Sequence, residues 1–194
     1  MEFWFAIGST YTYLTVMRLD RVEQETGTLI SWQPFSLRPI TLEMNNVPFI
    51  GKPAKLAYMW RDLERRAALY GLTFEGPPPY PLANAARLQC IAMHAFSEGW
   101  GKPFVQAIYR HWFHERTDVS KDEPLTSVLR DLKKDPIAVL HAAGQAPAQE
   151  ALAQQTQAAR ELGIFGSPTF AVGREIFWGD DRLDDALAWQ RRGP

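Results

Sequence analysis

The sequence predicts an α/β fold that carries an inserted all-helical segment. Three observations support this fold: strand, helix and strand patterns at the amino end, a long middle region with only helical periodicity, and a strand hairpin followed by a helix at the carboxyl end. The chain has 194 residues, of which 46% are apolar, and this suffices for one full hydrophobic core. We therefore assign residues 1–45 and 146–194 to the α/β domain and residues 46–145 to an inserted helical subdomain of the same compact unit.

The amino-terminal segment has the pattern of a βαβ unit. A short apolar run over 2–7 predicts a strand, and Gly8-Ser9 predicts a turn that leads into a helix over 10–26. A second strand is predicted over 29–35, with Pro34 at the end of the strand or on a sheet edge. The crossover between the two strands should be right-handed, and the strands should therefore be parallel.

The middle of the chain changes to helical periodicity. Apolar residues recur at three- and four-residue spacing from Pro53 to Tyr70, which predicts an amphipathic helix closed by Gly71. Further helices are predicted around 88–95, 104–112 and 125–132, with shorter helical patterns at 137–140 and 149–162. The segment that separates the two sheet-forming regions is therefore predicted to contain no strand.

The carboxyl-terminal segment returns to strand patterns. Strands are predicted over 168–172 and 175–178, joined by Gly173-Arg174 as a two-residue hairpin turn. Asp180 or Asp181 is predicted to cap a final helix. This order of elements is that of a thioredoxin-like fold with an insertion.

Charge and cysteine content exclude several functional classes. The net charge is -1, with no Lys/Arg run longer than two, so neither nucleic acid nor a membrane surface is an expected partner. We expect a cytoplasmic protein, because no leader-like segment follows Met1 and no apolar run approaches about eighteen residues. The single Cys90 excludes an internal disulfide, a Cys-x-x-Cys pair and a cysteine-based zinc site, and we expect it to be a buried structural thiol. His111 and His114 lie three residues apart on one predicted helix, but no third ligand is evident and we expect no metal site.

Three segments of the chain carry a resemblance to a known family. They are 8–14 around the first turn, Lys55 with 58–63 in the insertion, and 165–168 with 178–183 near the carboxyl end. In this order, with the helical insertion between them, they resemble the 2-hydroxychromene-2-carboxylate isomerases. That family is grouped with the kappa-class glutathione transferases and, more distantly, with the DsbA-type disulfide oxidoreductases. The resemblance covers nearly the whole chain.

The first turn is chemically suited to a thiol that a ligand brings. Where a disulfide oxidoreductase has a Cys-x-x-Cys pair, this chain has Ser9-Thr10-Tyr11-Thr12, with hydroxyls in place of sulfurs. Free backbone N–H groups and the positive end of a helix favour an anion, and the Ser9 hydroxyl adds a hydrogen-bond donor. A free thiol with a pKa of about 8.5 is only about 3% ionised at pH 7, and lowering that pKa by about two units raises the ionised fraction to about 75%.

The resemblance implies glutathione as the cofactor and Ser9 as the catalytic residue that activates its thiolate. The implied glutathione-binding residues, besides Ser9, are Asn46, Lys55, Ser167, Pro168, Trp178, Gly179, Asp180 and Asp181. The main chain at Ser167 would pair with the glutathione backbone next to a cis Pro168. The implied contacts of a small aromatic substrate are Asn46, Asn84 and Lys55, with the loop 38–41 as a weaker candidate.

The implied reaction converts 2-hydroxychromene-2-carboxylate, or a related conjugated aromatic compound, to trans-o-hydroxybenzylidenepyruvate. Glutathione acts there as a reversible nucleophile and is regenerated. The resemblance also implies a homodimer. The chain departs from the family pattern at Ala6, Thr10 and Asp180.

Two other functions remain open: a kappa-like glutathione S-transferase and a thioredoxin-fold binding module without catalysis. Considered alone, Ser9 is more often a helix cap, Lys55 a solvated helix residue and Trp178 a core residue.

Overall fold

A computed structural model describes residues 1–49 and 51–193; Ile50 and Pro194, which the predicted domain ranges include, lie outside the described residues. The strands are β1 (Glu2–Phe5), β2 (Ser31–Pro34), β3 (Thr169–Val172) and β4 (Glu175–Trp178). The α-helices are α1 (Thr10–Val16), α2 (Leu19–Thr26), α3 (Leu37–Glu43), α4 (Pro53–Tyr70), α5 (Ala85–Ser97), α6 (Gly101–Phe113), α7 (Asp122–Asp131), α8 (Pro136–Gly144), α9 (Ala146–Glu161) and α10 (Leu183–Arg192). A short 3-10 helix (Asp180–Arg182) precedes α10.

The four strands form one mixed sheet in the order β2-β1-β3-β4. β1 pairs with β2 in parallel and with β3 in antiparallel orientation, and β3 and β4 form the predicted hairpin. Pro34 lies in β2, which is an edge strand of the sheet. Proline is tolerated there because its missing N–H does not remove a hydrogen bond between inner strands. The predicted α/β sheet with a parallel first pair is confirmed.

Alternating residues of β1 supply both faces of the sheet, as the two-residue period of a strand requires. Phe3 and Phe5 lie on one face, where the Phe3 ring is 5.1 Å from that of Trp32 and 5.7 Å from that of Phe170, measured between centroids. Trp4 lies on the other face and packs edge-on against Phe35 at 6.2 Å. Helices cover both faces, so the central strand is buried.

The inserted segment is helical, as predicted. α4 runs from Pro53 to Tyr70 and ends at Gly71, whose φ of 67° is in the left-handed region that glycine adopts without strain. The main buried cluster includes Leu14 from the amino-terminal part together with Leu63 and Ile91 from the insertion. The two parts therefore share one hydrophobic core, while the exact division at 45/46 and 145/146 stays a prediction.

The predicted single helix over 10–26 is wrong in one respect, because it is broken into α1 and α2. α1 ends at Val16, and Met17 and Arg18 form a turn, with a φ of -119° at Arg18, before α2 begins at Leu19. Arg18 is buried and its guanidinium donates a hydrogen bond to the main-chain oxygen of Asp180, 162 residues further along the chain. A long-range contact of this kind has no local sequence signal.

Other boundaries also differ from the sequence expectation; β1 ends at Phe5 rather than at Ile7, and β3 begins at Thr169 rather than at Pro168. Residues 38–41, which we predicted to be a loop, lie in α3; Pro39 falls in the first turn of that helix, where its missing N–H has no intrahelical partner to lose. The second strand begins at Ser31 rather than at Leu29, whose side chain is 86% exposed.

Candidate active site

The Ser9 hydroxyl is directed across the fold and does not cap its own helix. Gly8 and Ser9 connect β1 to α1, and the Gly8 φ of 108° is one that glycine adopts without strain. Ser9 occupies the N-cap position of α1, yet its side chain makes no capping hydrogen bond. The hydroxyl donates instead to the main-chain oxygen of Ser167 at 2.7 Å. Two residues that the resemblance assigned to one ligand site are therefore in direct contact, although 158 residues separate them.

Ser167 is the centre of a small hydrogen-bond network. The predicted cis peptide between Ser167 and Pro168 is confirmed. The buried Ser167 hydroxyl accepts a hydrogen bond from the main-chain N–H of Ala6 at 2.9 Å and lies 2.8 Å from the Thr12 hydroxyl. Since Ser9 donates to the carbonyl of the same residue, β1, α1 and the segment before β3 all meet at Ser167.

Tyr109 holds the main chain of the Ser9 turn from the insertion. Its hydroxyl donates to the Ser9 carbonyl at 3.1 Å, and its ring is fully buried in α6. Burial raises the pKa of Tyr109 well above its usual range, against the opposing effects of the Thr12 hydroxyl and the Gly8 backbone, so the phenol stays protonated as a donor. Sequence reasoning missed this residue, because nothing near position 109 indicates a contact 100 residues away.

Trp178 and Phe165 form an exposed aromatic pair next to Pro168. The two rings meet edge-on at a centroid distance of 4.9 Å, and Trp178 is 55% exposed. A Cβ at position 166 would overlap the Trp178 indole nitrogen, so glycine at 166 lets the indole lie against the main chain. Gly179 follows with a φ of 119° and donates its N–H to the Pro168 carbonyl at 2.9 Å. Trp178 is therefore a surface residue beside the predicted ligand site and not part of the core.

The prediction that Asp180 or Asp181 caps the final helix is wrong. Gly179 precedes the 3-10 turn and Arg182 precedes α10, and neither helix start receives a side-chain cap. Asp181 is 44% exposed and pairs with the neighbouring Arg182 at 3.1 Å. Asp180 points inward instead and is only 2% exposed.

Two arginines hold the buried Asp180 carboxylate. Arg66 of α4 reaches both carboxylate oxygens, with Nε at 3.1 and 3.0 Å and Nη2 at 2.8 Å. Arg18 lies 3.8 Å from the same carboxylate and stacks over the Tyr70 ring at 4.0 Å. Burial raises the pKa of Asp180, and the hydrogen bonds and charge of Arg66 and then Arg18 oppose that rise. Because this carboxylate is already paired inside the protein, we do not assign it to the ammonium of a ligand.

The remaining predicted residues lie on the insertion side. Lys55 is exposed on α4, with Nζ 5.8 Å from the Phe49 ring centroid, and its side chain makes no hydrogen bond among the described residues. Asn46 is exposed after α3, and its main-chain N–H donates to Thr41 at 2.8 Å. Neither contact links Lys55 or Asn46 to the Ser9 network. Both side chains are exposed, so a bound ligand can reach them.

Asn84 caps α5 and begins that helix beside the Ser9 turn. Its side-chain oxygen accepts a hydrogen bond from the Arg87 N–H at 3.3 Å. The next residue, Ala85, would lie 3.3 Å from a Cβ placed on Gly8. Asn84 is thus near the predicted catalytic turn, although its carboxamide oxygen already has a structural partner.

Neither a membrane span nor a metal cluster is found within residues 1–49 and 51–193. No helix there combines the length and apolar character that crossing a membrane requires, and no group of three or more His, Cys, Asp or Glu side chains could hold a metal ion. His111 Nδ1 lies 2.8 Å from Glu115, and His114 Nε2 lies 2.9 Å from the Tyr13 hydroxyl. The two histidines therefore have separate partners.

Comparison with known proteins identifies the fold family. The family model of the DsbA-like thioredoxin domain matches residues 1–188. The chain belongs to this family. The predicted thioredoxin-like fold is thereby confirmed, and the missing cysteine pair distinguishes this member of the DsbA-like family from a dithiol oxidoreductase.

Within the DsbA-like family, the chain is similar to proteins named 2-hydroxychromene-2-carboxylate isomerase. The one from Pseudomonas putida is 29% identical over 185 residues, covering 94% of this chain and 90% of the relative. The one from Sphingobium xenophagum is 28% identical over 190 residues, covering 95% and 94%. A solved structure of a 2-hydroxychromene-2-carboxylate isomerase superimposes with a TM-score of 0.86 at 28% identity, over 98% of this chain and 94% of that one. The resemblance drawn from the sequence is confirmed.

Proposed function

We propose that this protein is a glutathione-dependent isomerase that acts on 2-hydroxychromene-2-carboxylate or a related conjugated aromatic compound. One observation carries the proposal: the hydroxyl of Ser9 meets the main chain of Ser167 beside the cis Pro168, at the turn where dithiol members of the fold have their cysteines. The names of the similar proteins support the reaction type. The lone Cys90 is in α5, outside this turn; it is partly buried rather than fully buried as expected, and this burial raises its pKa, so the chain itself is a poor source of the thiolate.

The residues at the site fit the functional groups of glutathione. The Ser9 hydroxyl donates to one neutral acceptor, the Ser167 carbonyl. When Ser9 donates to a ligand sulfur instead, the Ser167 carbonyl can accept a hydrogen bond from an N–H of the ligand. The exposed Asp181 carboxylate can pair with an ammonium, and the exposed Lys55 can pair with a carboxylate. Trp178 offers an aromatic surface beside Pro168. We leave Asp180 out of this set, because Arg66 and Arg18 already pair with it.

The chemistry divides between cofactor and protein. Bound glutathione supplies a thiolate that adds reversibly to a conjugated double bond, so that the bond can rotate before the thiolate is expelled. The Ser9 hydroxyl lowers the thiol pKa by donating a hydrogen bond to the charged form. Tyr109 keeps the main chain of Ser9 in place by donating to its carbonyl. Because Lys55 is already assigned to a glutathione carboxylate, we assign the carboxylate of the aromatic substrate to Lys52, the other lysine at the start of α4.

Turnover and product analysis test the proposal. The purified protein is given 2-hydroxychromene-2-carboxylate with and without a catalytic amount of glutathione, and the substrate, the trans product and the free thiol are quantified by chromatography and mass spectrometry. We expect many turnovers per glutathione and no loss of thiol. A product heavier by one glutathione would instead identify a kappa-like transferase. If calorimetry detects no glutathione binding, a binding module without this chemistry is the better description and the proposal is wrong.

A further inference from the structure

The structure assigns a positioning function to Thr12, the last residue of the Ser9-Thr10-Tyr11-Thr12 turn. We propose that its hydroxyl fixes Ser167, and that Ser167 in turn holds the Ser9 hydroxyl ready for the thiol. This inference rests on the proposed function and concerns a residue that has no contact of its own with Ser9 in the network described above.

The contacts of Ser167 show how Thr12 acts on Ser9. The Thr12 side chain is fully buried, and its Oγ1 lies 2.8 Å from the Ser167 hydroxyl. The same hydroxyl accepts the Ala6 N–H at 2.9 Å, and the Ser167 carbonyl accepts the Ser9 proton at 2.7 Å. Ser167 is thus fixed on its side chain by two groups and contacts Ser9 through its carbonyl. Without the Thr12 hydroxyl, Ser167 would keep only the Ala6 bond on its side chain.

The neighbouring threonines show that this contact is not a general property of α1. Thr10, Thr12 and Thr15 are all buried in the first two turns of that helix. The Thr10 hydroxyl donates to the Met59 sulfur at 3.1 Å, and the Thr15 hydroxyl has no partner among the described residues. Only Thr12, of these three, reaches the residue that accepts the Ser9 proton.

The position of the Ser167 carbonyl affects function because this carbonyl accepts the hydrogen bond that Ser9 must redirect to the thiolate. For Ser9 to stabilise a thiolate, its proton must leave the Ser167 carbonyl, and that carbonyl must then accept an N–H from the ligand. Both changes require the carbonyl to be held within about 0.5 Å of one position. Thr12 supplies part of that restraint without contacting the reacting atoms, so we call it a positioning residue.

The test compares three variants of the full chain. Thr12→Val removes the hydroxyl at constant shape, Thr12→Ser retains it, and Thr15→Val removes a buried hydroxyl that has no partner in the described structure. For each protein, the pKa of the bound glutathione thiol is measured from the ultraviolet absorbance of the thiolate against pH. The dissociation constant of glutathione is measured by calorimetry, and kcat and KM are measured separately.

We expect Thr12→Val to raise the pKa of the bound thiol by about one unit. At pH values below the thiol pKa, this shift lowers the thiolate fraction by up to about tenfold. kcat falls by a similar factor, while Thr12→Ser and Thr15→Val retain the wild-type thiol pKa. A folded Thr12→Val with the wild-type thiol pKa would overturn the inference. If Thr12→Val does not fold, Ser167→Ala removes the same hydrogen bond from the other side together with the bond from the Ala6 N–H, and an unchanged thiol pKa in that variant overturns the inference equally.

The wild-type protein separates failure of the inference from failure of the proposed function. If the wild type binds no glutathione or leaves its thiol pKa unchanged, the proposed function is wrong and the assignment of Thr12 is rejected with it. If the wild type lowers the thiol pKa and Thr12→Val lowers it equally, only the assignment of Thr12 is rejected.

Discussion

At the scale of single residues, the hydrogen-bond partner of the Ser9 hydroxyl determines what this serine can do. Ser9 has the position and residue type of a helix cap, but its proton is donated to Ser167. A cap would have used the hydroxyl as an acceptor for an N–H of its own helix, whereas here the hydroxyl acts as a donor. That donor property is what stabilisation of a thiolate requires.

Replacement of Ser9 by alanine tests this function directly. We expect Ser9→Ala to raise the pKa of bound glutathione by about one to two units, because a hydrogen bond to a charged group is worth about 1.5–3 kcal/mol. Turnover at neutral pH falls about 3- to 25-fold with the thiolate fraction, whereas the free energy of unfolding falls by only about 1 kcal/mol, the usual value of one neutral hydrogen bond. Steady-state kinetics and urea denaturation measure the two effects.

Ser36→Ala is the matched control for Ser9→Ala. Ser36 also occupies an N-cap position without a side-chain capping bond, at the start of α3. We expect it to leave the thiol pKa and the turnover unchanged. Equal turnover in Ser9→Ala and the wild type would remove Ser9 from the mechanism.

At the scale of elements, buried polar contacts fix how the insertion meets the α/β part. Asp180 begins the 3-10 turn after β4, while Arg66 comes from α4 and Arg18 lies between α1 and α2. The ion pairs therefore join three separate segments beneath the exposed Asp181. The Tyr13 hydroxyl similarly joins α1 to the insertion through the Thr73 carbonyl and His114.

Asp180→Asn is expected to be strongly destabilising. It leaves the buried Arg18 and the partly buried Arg66 without their counter-ion, and breaking a buried pair in this way costs about 3 kcal/mol. Asp181→Asn is the matched control, since its pair with Arg182 is exposed and contributes less than about 1 kcal/mol. Urea denaturation of both variants gives the comparison; equal stabilities would show that the Asp180 cluster does not hold these elements together.

His114 makes stability depend on pH. Burial, and then the charge of Arg110, lower its pKa below the ordinary value of about 6.5, with Glu75 and Glu115 opposing the shift. The folded protein therefore prefers the neutral ring, and the stability from this preference is present above about pH 6.5 and lost as pH falls towards the folded-state pKa. We expect the difference in free energy of unfolding between wild type and His114→Gln to shrink between about pH 7.5 and pH 5.

Comparison with His114→Gln isolates this effect from the other titrating groups. His111, beside Glu115 and Asp131, is present in both proteins, so its contribution to stability is common to both. A difference that stays constant over this pH range would show that His114 is not responsible.

At the scale of the whole molecule, a ligand that joins both parts of the fold should stabilise all of it. The predicted glutathione residues come from the Ser9 turn, the insertion and the segment around the hairpin, which share one buried cluster. At a concentration about 100 times its dissociation constant, glutathione is expected to add about 2.7 kcal/mol. For a chain of this length the melting temperature then rises by about 5–10 °C.

Scanning calorimetry over a series of glutathione concentrations measures this shift. S-methylglutathione serves as the control ligand, because it retains the peptide but cannot form a thiolate; we expect a smaller shift at equal concentration. A melting temperature that does not change with glutathione would contradict the proposed site. The homodimer implied by the family resemblance stays a prediction, which sedimentation of the purified chain tests.

The order of elements could be predicted from the sequence because it depends on local patterns. The periodicity of 53–70 and the Gly71 after it predicted α4 to the residue, and Gly173-Arg174 predicted the hairpin. The helix and the hairpin depend on residues and their immediate neighbours. The absence of a second cysteine ruled out a dithiol, whereas the cis peptide at Ser167-Pro168 was expected from the family resemblance and not from a local pattern.

Only the tertiary structure decided which side chains are available. Asp180 and Asp181 are adjacent and chemically identical in the sequence, yet one is buried against Arg66 and Arg18 while the other is exposed. Likewise the sequence placed Ser9 at a helix start, but its donor bond to Ser167 and the support from Thr12 and Tyr109 depend on contacts between residues 100 or more positions apart in the chain. The physical reason is that burial and hydrogen-bond pairing depend on what the folded chain brings close in space, and local periodicity carries no record of it.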